Sequence, residues 1–230
     1  MPERDIALTF VRWTCVRAMF HRGYWLVTSL YLVVEADLSA FELVFIGTAQ
    51  GLTALAFEIP TGVLADTISR KGSIVIAHLV MGAAMGLTGL VTSFPALVAT
   101  QMLWGLAWTF SSGADVAWLT DELDRPERTA SVLAESARWE QIGAAGGLVG
   151  FGGLAWATGL GTAIVVSGLA MWVLGLFVAL HFTERHFTPT REHRWRESVS
   201  TFRRGVDLAR RDRQILLVFA ATILVNGAAE

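Results

Sequence analysis

Six apolar runs, each about 17–25 residues long, follow one another along this chain with short polar breaks between them, and a seventh begins near the C-terminus. A run of that length crosses roughly 30 Å of hydrocarbon when helical. Backbone polar groups in lipid must be satisfied within their own segment, and the runs lack the period-two alternation of strands, so they are read as helices. The spans fall at about Phe10–Val34, Phe41–Leu64, Ser73–Val91, Ala96–Leu119, Trp139–Thr158 and Ala163–Phe182; the seventh covers Ile215 to Glu230. The first is read as an uncleaved span, because it is longer than a signal-peptide core and further spans follow.

Composition narrows the class. Charged residues make up 17% of the chain, against about 25% in a soluble domain, and 53% is hydrophobic. Cys15 is the only cysteine, which excludes an internal disulfide and a cysteine metal cluster. No nucleic-acid module and no cofactor motif is visible. Gly150-x-Gly152-x-x-Ala155 mimics a dinucleotide fingerprint but follows no strand. His78, His181, His186 and His193 form no catalytic constellation.

Lys and Arg set the orientation. The turns Glu35–Ala40, Thr92–Pro95 and Gly159–Thr162 contain neither residue. The alternate side carries Arg4 and Arg12, then Arg70 and Lys71, then Arg125, Arg128 and Arg138, and finally the arginine-rich segment Thr183–Arg213. The positive-inside rule puts the N-terminus, the turn after the second span and the long linker in the cytoplasm. Within the linker, Trp195, Val199, Phe202, Val206 and Ala209 recur at helical spacing, with arginines off that stripe. An amphipathic helix on the inner leaflet fits this pattern, and so does a solvated charged linker.

The stretch Phe57–Ser73 joins the second and third spans by a polar hinge of five to seven residues bearing Asp66, Arg70 and Lys71. Gly62-x-x-x-Asp66-x-x-x-Arg70-Lys71 resembles the signature loop of the major facilitator superfamily, with Thr67 in place of its first basic residue and Ser69 in place of its second glycine. Phe57–Gly62 and Ser112–Glu122 resemble stretches of bacterial drug-efflux members. Thr183-Glu184-Arg185 sits where such proteins often carry a Pro-Glu-Ser/Thr motif. The resemblance covers essentially the whole chain, as an N-terminal half, linker and start of a seventh helix. It implies that Gly62, Asp66, Arg70, Lys71, Asp121 and Glu184 form a conformational latch on the cytoplasmic face. The simpler alternative gives Arg70 and Lys71 a topological role alone.

Ionisable and polar residues inside spans are costly and must face a cavity or one another. His21, Arg22, Glu58, Gln101 and Asp115 are therefore candidates, with Trp104 and Trp108 as aromatic walls. One reading places His21 and Arg22 in a polar cavity with Glu58 or Asp115 as partner, and charge reversal at Arg22 then abolishes transport. The other starts the first helix later, so that Arg17 and Arg22 snorkel to the inner surface; for Arg17 that reading is preferred. The resemblance also bears on Gln101: four residues before Gly105, it stands where proton-coupled members often carry Arg. Small residues at four-residue spacing, Gly82 and Gly86 in the third span and Gly143, Gly146, Gly147 and Gly150 in the fifth, read as helix-packing positions.

The expected fold is an all-α membrane protein, a six-transmembrane-helix bundle (residues 1–182), followed by a basic cytoplasmic linker (183–213) and the start of a seventh helix (214–230). The resemblance implies two three-helix units of inverted topology. It also implies secondary transport across the bacterial plasma membrane: efflux of small amphipathic compounds, with proton antiport as coupling. A half-length form would work with a second transporter half or as a homodimer in the lipid bilayer, with a small-molecule substrate. A non-transporting six-helix scaffold is the competing reading; it would not need Glu58, Asp115 or Arg22.

Overall fold

The computed structural model describes residues 3–123 and 125–189, together with the single positions Ser200 and Leu217. The chain divides into a unit Met1–Pro189 and a unit Thr190–Glu230. The amphipathic stripe and the seventh helix expected at 214–230 lie outside the described residues.

All elements among the described residues are α-helices: α1 Glu3–Val34, α2 Ala40–Thr67, α3 Arg70–Thr88, α4 Phe94–Ser111, α5 Ala114–Leu123, α6 Pro126–Thr158 and α7 Leu160–His181. Three of them, α2, α3 and α7, are long and apolar enough to cross a membrane. Six such helices were expected. The shortfall is one of composition: Arg12, Arg17 and Arg22 interrupt α1, Gln101 sits inside the 18-residue α4, and α6 begins with a charged turn.

Several boundaries differ from expectation. The hinge after α2 is only Ile68 and Ser69; Asp66 belongs to α2, while Arg70 and Lys71 open α3. Ser69 makes so short a turn sufficient, because its hydroxyl accepts from the Gly72 N–H at 2.7 Å and caps α3. The fourth run is two helices, broken at Ser112-Gly113, where Gly113 takes φ +75°. Much of the polar segment Thr120–Arg138 is helical too, since Pro126, suited to a first helical position, starts a 33-residue α6. The α1–α2 turn closes through Asp37 at φ 51° and a capping box between Ser39 and Glu42.

The packing has an internal order. α1 lies chiefly on α6, α2 on α4, and α3 on α7 and α4, with α1 also on α7. Exchange the triplet α1, α2, α3 for the triplet α4–α5, α6, α7. The α1/α6 contact then becomes α4/α2, α3/α4 becomes α7/α1, and α3/α7 maps onto itself. Packing that survives this exchange is what two similar three-helix units would give.

Glycines set the close approaches. A Cβ on Gly143 or Gly147 would collide with the Cys15 or Met19 carbonyl on α1. On Gly168 it would meet the Gly82 carbonyl at 2.6 Å and the Gly86 nitrogen at 2.6 Å. Gly89 and Gly161 face one another in the same way, and a Cβ on Gly105 would meet the Gln50 carbonyl at 2.7 Å. Gly82, Gly143 and Gly147 thus lie at helix crossings, as their spacing suggested, while Gly86 presents its backbone to Gly168 but has open space where its own Cβ would go. Gly146 has open space where a Cβ would go, and Gly150 has only ordinary contact with the Met19 side chain, so these two do not govern packing.

A direct comparison tests this. Gly147→Ala is expected to cost about 1–3 kcal/mol by overpacking, while Gly146→Ala stays within about 0.5 kcal/mol of the parent. Thermal unfolding of the two purified variants in one detergent measures the difference.

Candidate functional site

Two clusters of polar side chains lie along the bundle. The first fills the space between α1 and the α4–α5 pair. The α1 backbone packs on α6, α7 and α5, so long side chains occupy the gap to α4. Arg17, His21, Tyr24, Trp25 and Thr28 fall on one stripe of α1 at helical spacing. They meet α4 and α5 rung by rung. The Arg17 guanidinium donates to Asp115 Oδ2 at 3.0 Å, and its carbon lies 4.4 Å from the centre of the Trp13 ring. One turn on, the His21 ring lies nearly parallel to Trp104 and Trp108, with centroids 5.2 and 5.6 Å away. Trp25 donates its indole N–H to His21 Nε2 at 3.2 Å, so that nitrogen carries no proton. On the next rung Gln101 Nε2 donates to Tyr24 Oη at 2.9 Å and to Thr88 Oγ1 at 3.1 Å, all three residues buried. Gln101 Oε1 and the Trp104 indole N–H find no hydrogen-bond partner among the described residues.

Glu58 stands beside this seam. Its Oε1 accepts a hydrogen bond from Ser112 Oγ at 2.7 Å, at the break between α4 and α5. Thr61, three residues further along α2, donates to the Thr109 carbonyl at 3.1 Å. The break therefore brings a carboxylate from α2 to within a turn of Trp108.

The expected ion pairs are corrected here. Asp115 takes Arg17, not Arg22, and Glu58 takes Ser112. Arg22 is exposed and makes no ion pair among the described residues. The reason is helical phase: Arg22 is five residues from Arg17, about 140° round the helix, whereas His21 is four away and shares its face. Arg17 does not snorkel, because Asp115 and the Trp13 ring hold it. The signal was present in the spacing of Arg17, His21, Tyr24 and Thr28.

The second cluster gathers at the α2–α3 turn. Arg70 donates to Asp121 and to the Ala117 carbonyl, the latter at 2.8 Å, and lies 3.5 Å from Asp66 Oδ1. Glu184 accepts from Ser69 Oγ at 2.6 Å and from the Lys71 backbone N–H at 3.0 Å, so it closes the start of α3. Asp66, Arg70, Asp121 and Glu184 are thus brought together as expected. Lys71 joins through its backbone alone, and Gly62 lies more than a turn away on α2.

Glu122, expected on the same face as Asp121 and Glu184 and able to join them, is held by the segment that follows α7. It is buried and accepts from Thr183 Oγ1 at 2.7 Å and from the backbone N–H groups of Arg185 and His186 at 2.6 and 3.1 Å. Trp118, one turn earlier, donates to the Thr183 carbonyl at 2.6 Å and stacks on Phe182. Burial pushes the Glu122 carboxyl up, but the hydrogen bonds from Thr183, His186 and Arg185 outweigh it and hold the group below its ordinary value. Nothing in the spacing of Glu122 and Thr183, sixty-one residues apart, announces this contact.

Compared with protein-family models and with curated protein sequences, the chain matches none.

The depressed carboxyl has a consequence for stability. A group with a lowered folded pKa contributes stability that is present above its unfolded value and lost as pH falls through the folded one. The unfolding midpoint is therefore expected to drop as pH falls below about 4.5, the ordinary value for Glu122. Glu122→Gln should flatten that dependence and cost about 1–3 kcal/mol at pH 7, as expected for impaired buried hydrogen bonds. Denaturation curves of both proteins between pH 7 and pH 3 check it.

Proposed function

We propose that this chain is a six-helix half of a secondary transporter of the major facilitator type, set in the bacterial plasma membrane with its N-terminus in the cytoplasm. The observation that carries this reading is the exchange of the two helix triplets, which maps the main helix pairings onto one another and sets α1 opposite the α4–α5 helices across a polar and aromatic seam. Inverted three-helix units with a site between their first helices are how such transporters are built. α1, α4 with α5, and α6 join the three apolar helices as spans on this reading. Their polar residues are tolerated because they face one another: Arg17 meets Asp115, and Gln101 meets Tyr24 and Thr88.

The seam gives the reading its chemistry. Trp25, Trp104 and Trp108 offer apolar and π surfaces, while Glu58 offers a carboxylate whose only hydrogen-bond partner among the described residues is a hydroxyl. A small amphipathic compound with an aromatic body fits those groups. The Arg70–Asp121 contact and the Glu184 bonds tie α3 to α5 and to the end of α7, as a latch for one arrangement of the helices would. Efflux, coupled to proton entry, completes the proposal. The partner is a second six-helix half or a second copy.

Tryptophan emission tests the site directly. The full chain in liposomes should show saturable quenching by a lipophilic aromatic amine, and Trp104→Phe with Trp108→Phe should remove most of it. Glu58→Gln is expected to weaken binding about tenfold without loss of expression. Quenching that is linear and unsaturable, or unchanged in those variants, would sink the proposed site.

A further inference from the structure

A groove of about 510 Å³ runs between α1 and α7, away from the seam. Its walls are apolar: Val16, Phe20, Val173 and Phe177 line it, with the face of Trp13. Trp13 turns its only polar atom inward, donating to His78 Nε2 at 3.3 Å, so it shows the groove carbon alone. Two basic side chains, Arg12 and His181, stand at one end. Arg12 is exposed and makes no ion pair or hydrogen bond among the described residues.

The length is informative. From Thr9 to Phe20 the helix rises about 16 Å, close to half of a hydrocarbon core of roughly 30 Å. The groove therefore spans one leaflet. Its basic end lies at the start of α1 and the end of α7, the face on which Lys and Arg gather.

We propose that this groove binds one anionic phospholipid of the cytoplasmic leaflet, resting on the membrane orientation given above. An acyl chain lies along Val16, Phe20, Val173 and Phe177, and the phosphate meets the Arg12 guanidinium, with His181 beside it. Basic pockets between membrane helices on the cytoplasmic side are suited to such head groups. A guanidinium without a partner among the described residues, at the mouth of an apolar, leaflet-long slot, supplies both halves of that recognition. The apolar groove between α3 and α7, lined by Leu87, Leu169 and Trp172, has no such charge and would not discriminate between head groups.

Native mass spectrometry of the full chain, released from detergent, tests the proposal. The probes are phosphatidylglycerol and phosphatidylcholine with the same acyl chains. The wild-type chain is expected to retain one phosphatidylglycerol in preference. Arg12→Gln should lower that retention about fivefold, to the level of the zwitterionic lipid. Val173→Trp, which fills the slot, should lower retention of both. Equal retention of the two lipids by the wild-type chain overturns the site, as does a preference that survives Arg12→Gln. A dimer that Val173→Trp dissolves would assign the groove to a second copy and overturn it too. Carbonate extraction separates the two levels of the argument. A chain stripped from membranes by carbonate overturns the membrane reading and the lipid site together; one that stays but fails to discriminate overturns the lipid site alone.

Discussion

The contact on which the bundle depends is the close passage of α3 over α7. Gly82 faces Gly168, with the Trp172 side chain laid against it, and Gly89 faces Gly161, so the two backbones approach closely. In lipid, helices gain little from burying apolar surface against one another, and packing of small residues does more of the work. That contact maps onto itself when the two helix triplets are exchanged. The other close crossings, Gly143 and Gly147 on α1 and Gly105 on α2, are exchanged with one another. Glycine thus sets the distances at these crossings, and α1 and α4 stay apart.

That separation is what makes room for function. Were α1 and α4 as close as α3 and α7, Trp104, Trp108 and His21 would not fit between them. The gap holds an ion pair, a ring stack and an amide network on successive turns. A charge alone in hydrocarbon is costly, yet Arg17 and Asp115 neutralise each other, and the Trp13 ring covers the guanidinium. The seam therefore carries polar chemistry at small cost to the bundle. Glu58 is the exception, an exposed carboxylate held by one hydroxyl.

Most of the helical plan was legible in the sequence, because apolar length and turn residues act locally. The limits of six helical runs follow the observed elements to within a few residues at many ends. The break at Ser112-Gly113 was not legible, since an apolar run gives no sign of a residue at φ +75° inside it. Nor was the 33-residue reach of α6, whose first turns are charged and read as a loop. Among site residues, Asp66, Arg70, Asp121 and Glu184 came together because a short turn leaves little choice of neighbours. Arg22 was weighed against Arg17 by depth, where helical phase decides. Glu122 could be placed on the same face as Asp121 and Glu184 but its partners could not, because two of the three are backbone N–H groups that no side-chain pattern encodes.

Two glutamates, Glu122 and Glu184, make one fastening out of three elements. Glu122, at the end of α5, holds the backbone of Thr183–His186; Glu184, inside that held segment, closes the start of α3. Glu122 and Glu184 thus act on one short segment, the first holding its backbone and the second reaching from it to α3. Arg70, the first residue of that helix, then reaches back to Asp121, one residue before Glu122. The loop of interactions closes on itself, so breaking any member loosens all three helix ends. Hydrogen bonds coupled in this way strengthen one another and release together. The ends of α3, α5 and α7 are thus joined through one connected set of hydrogen bonds.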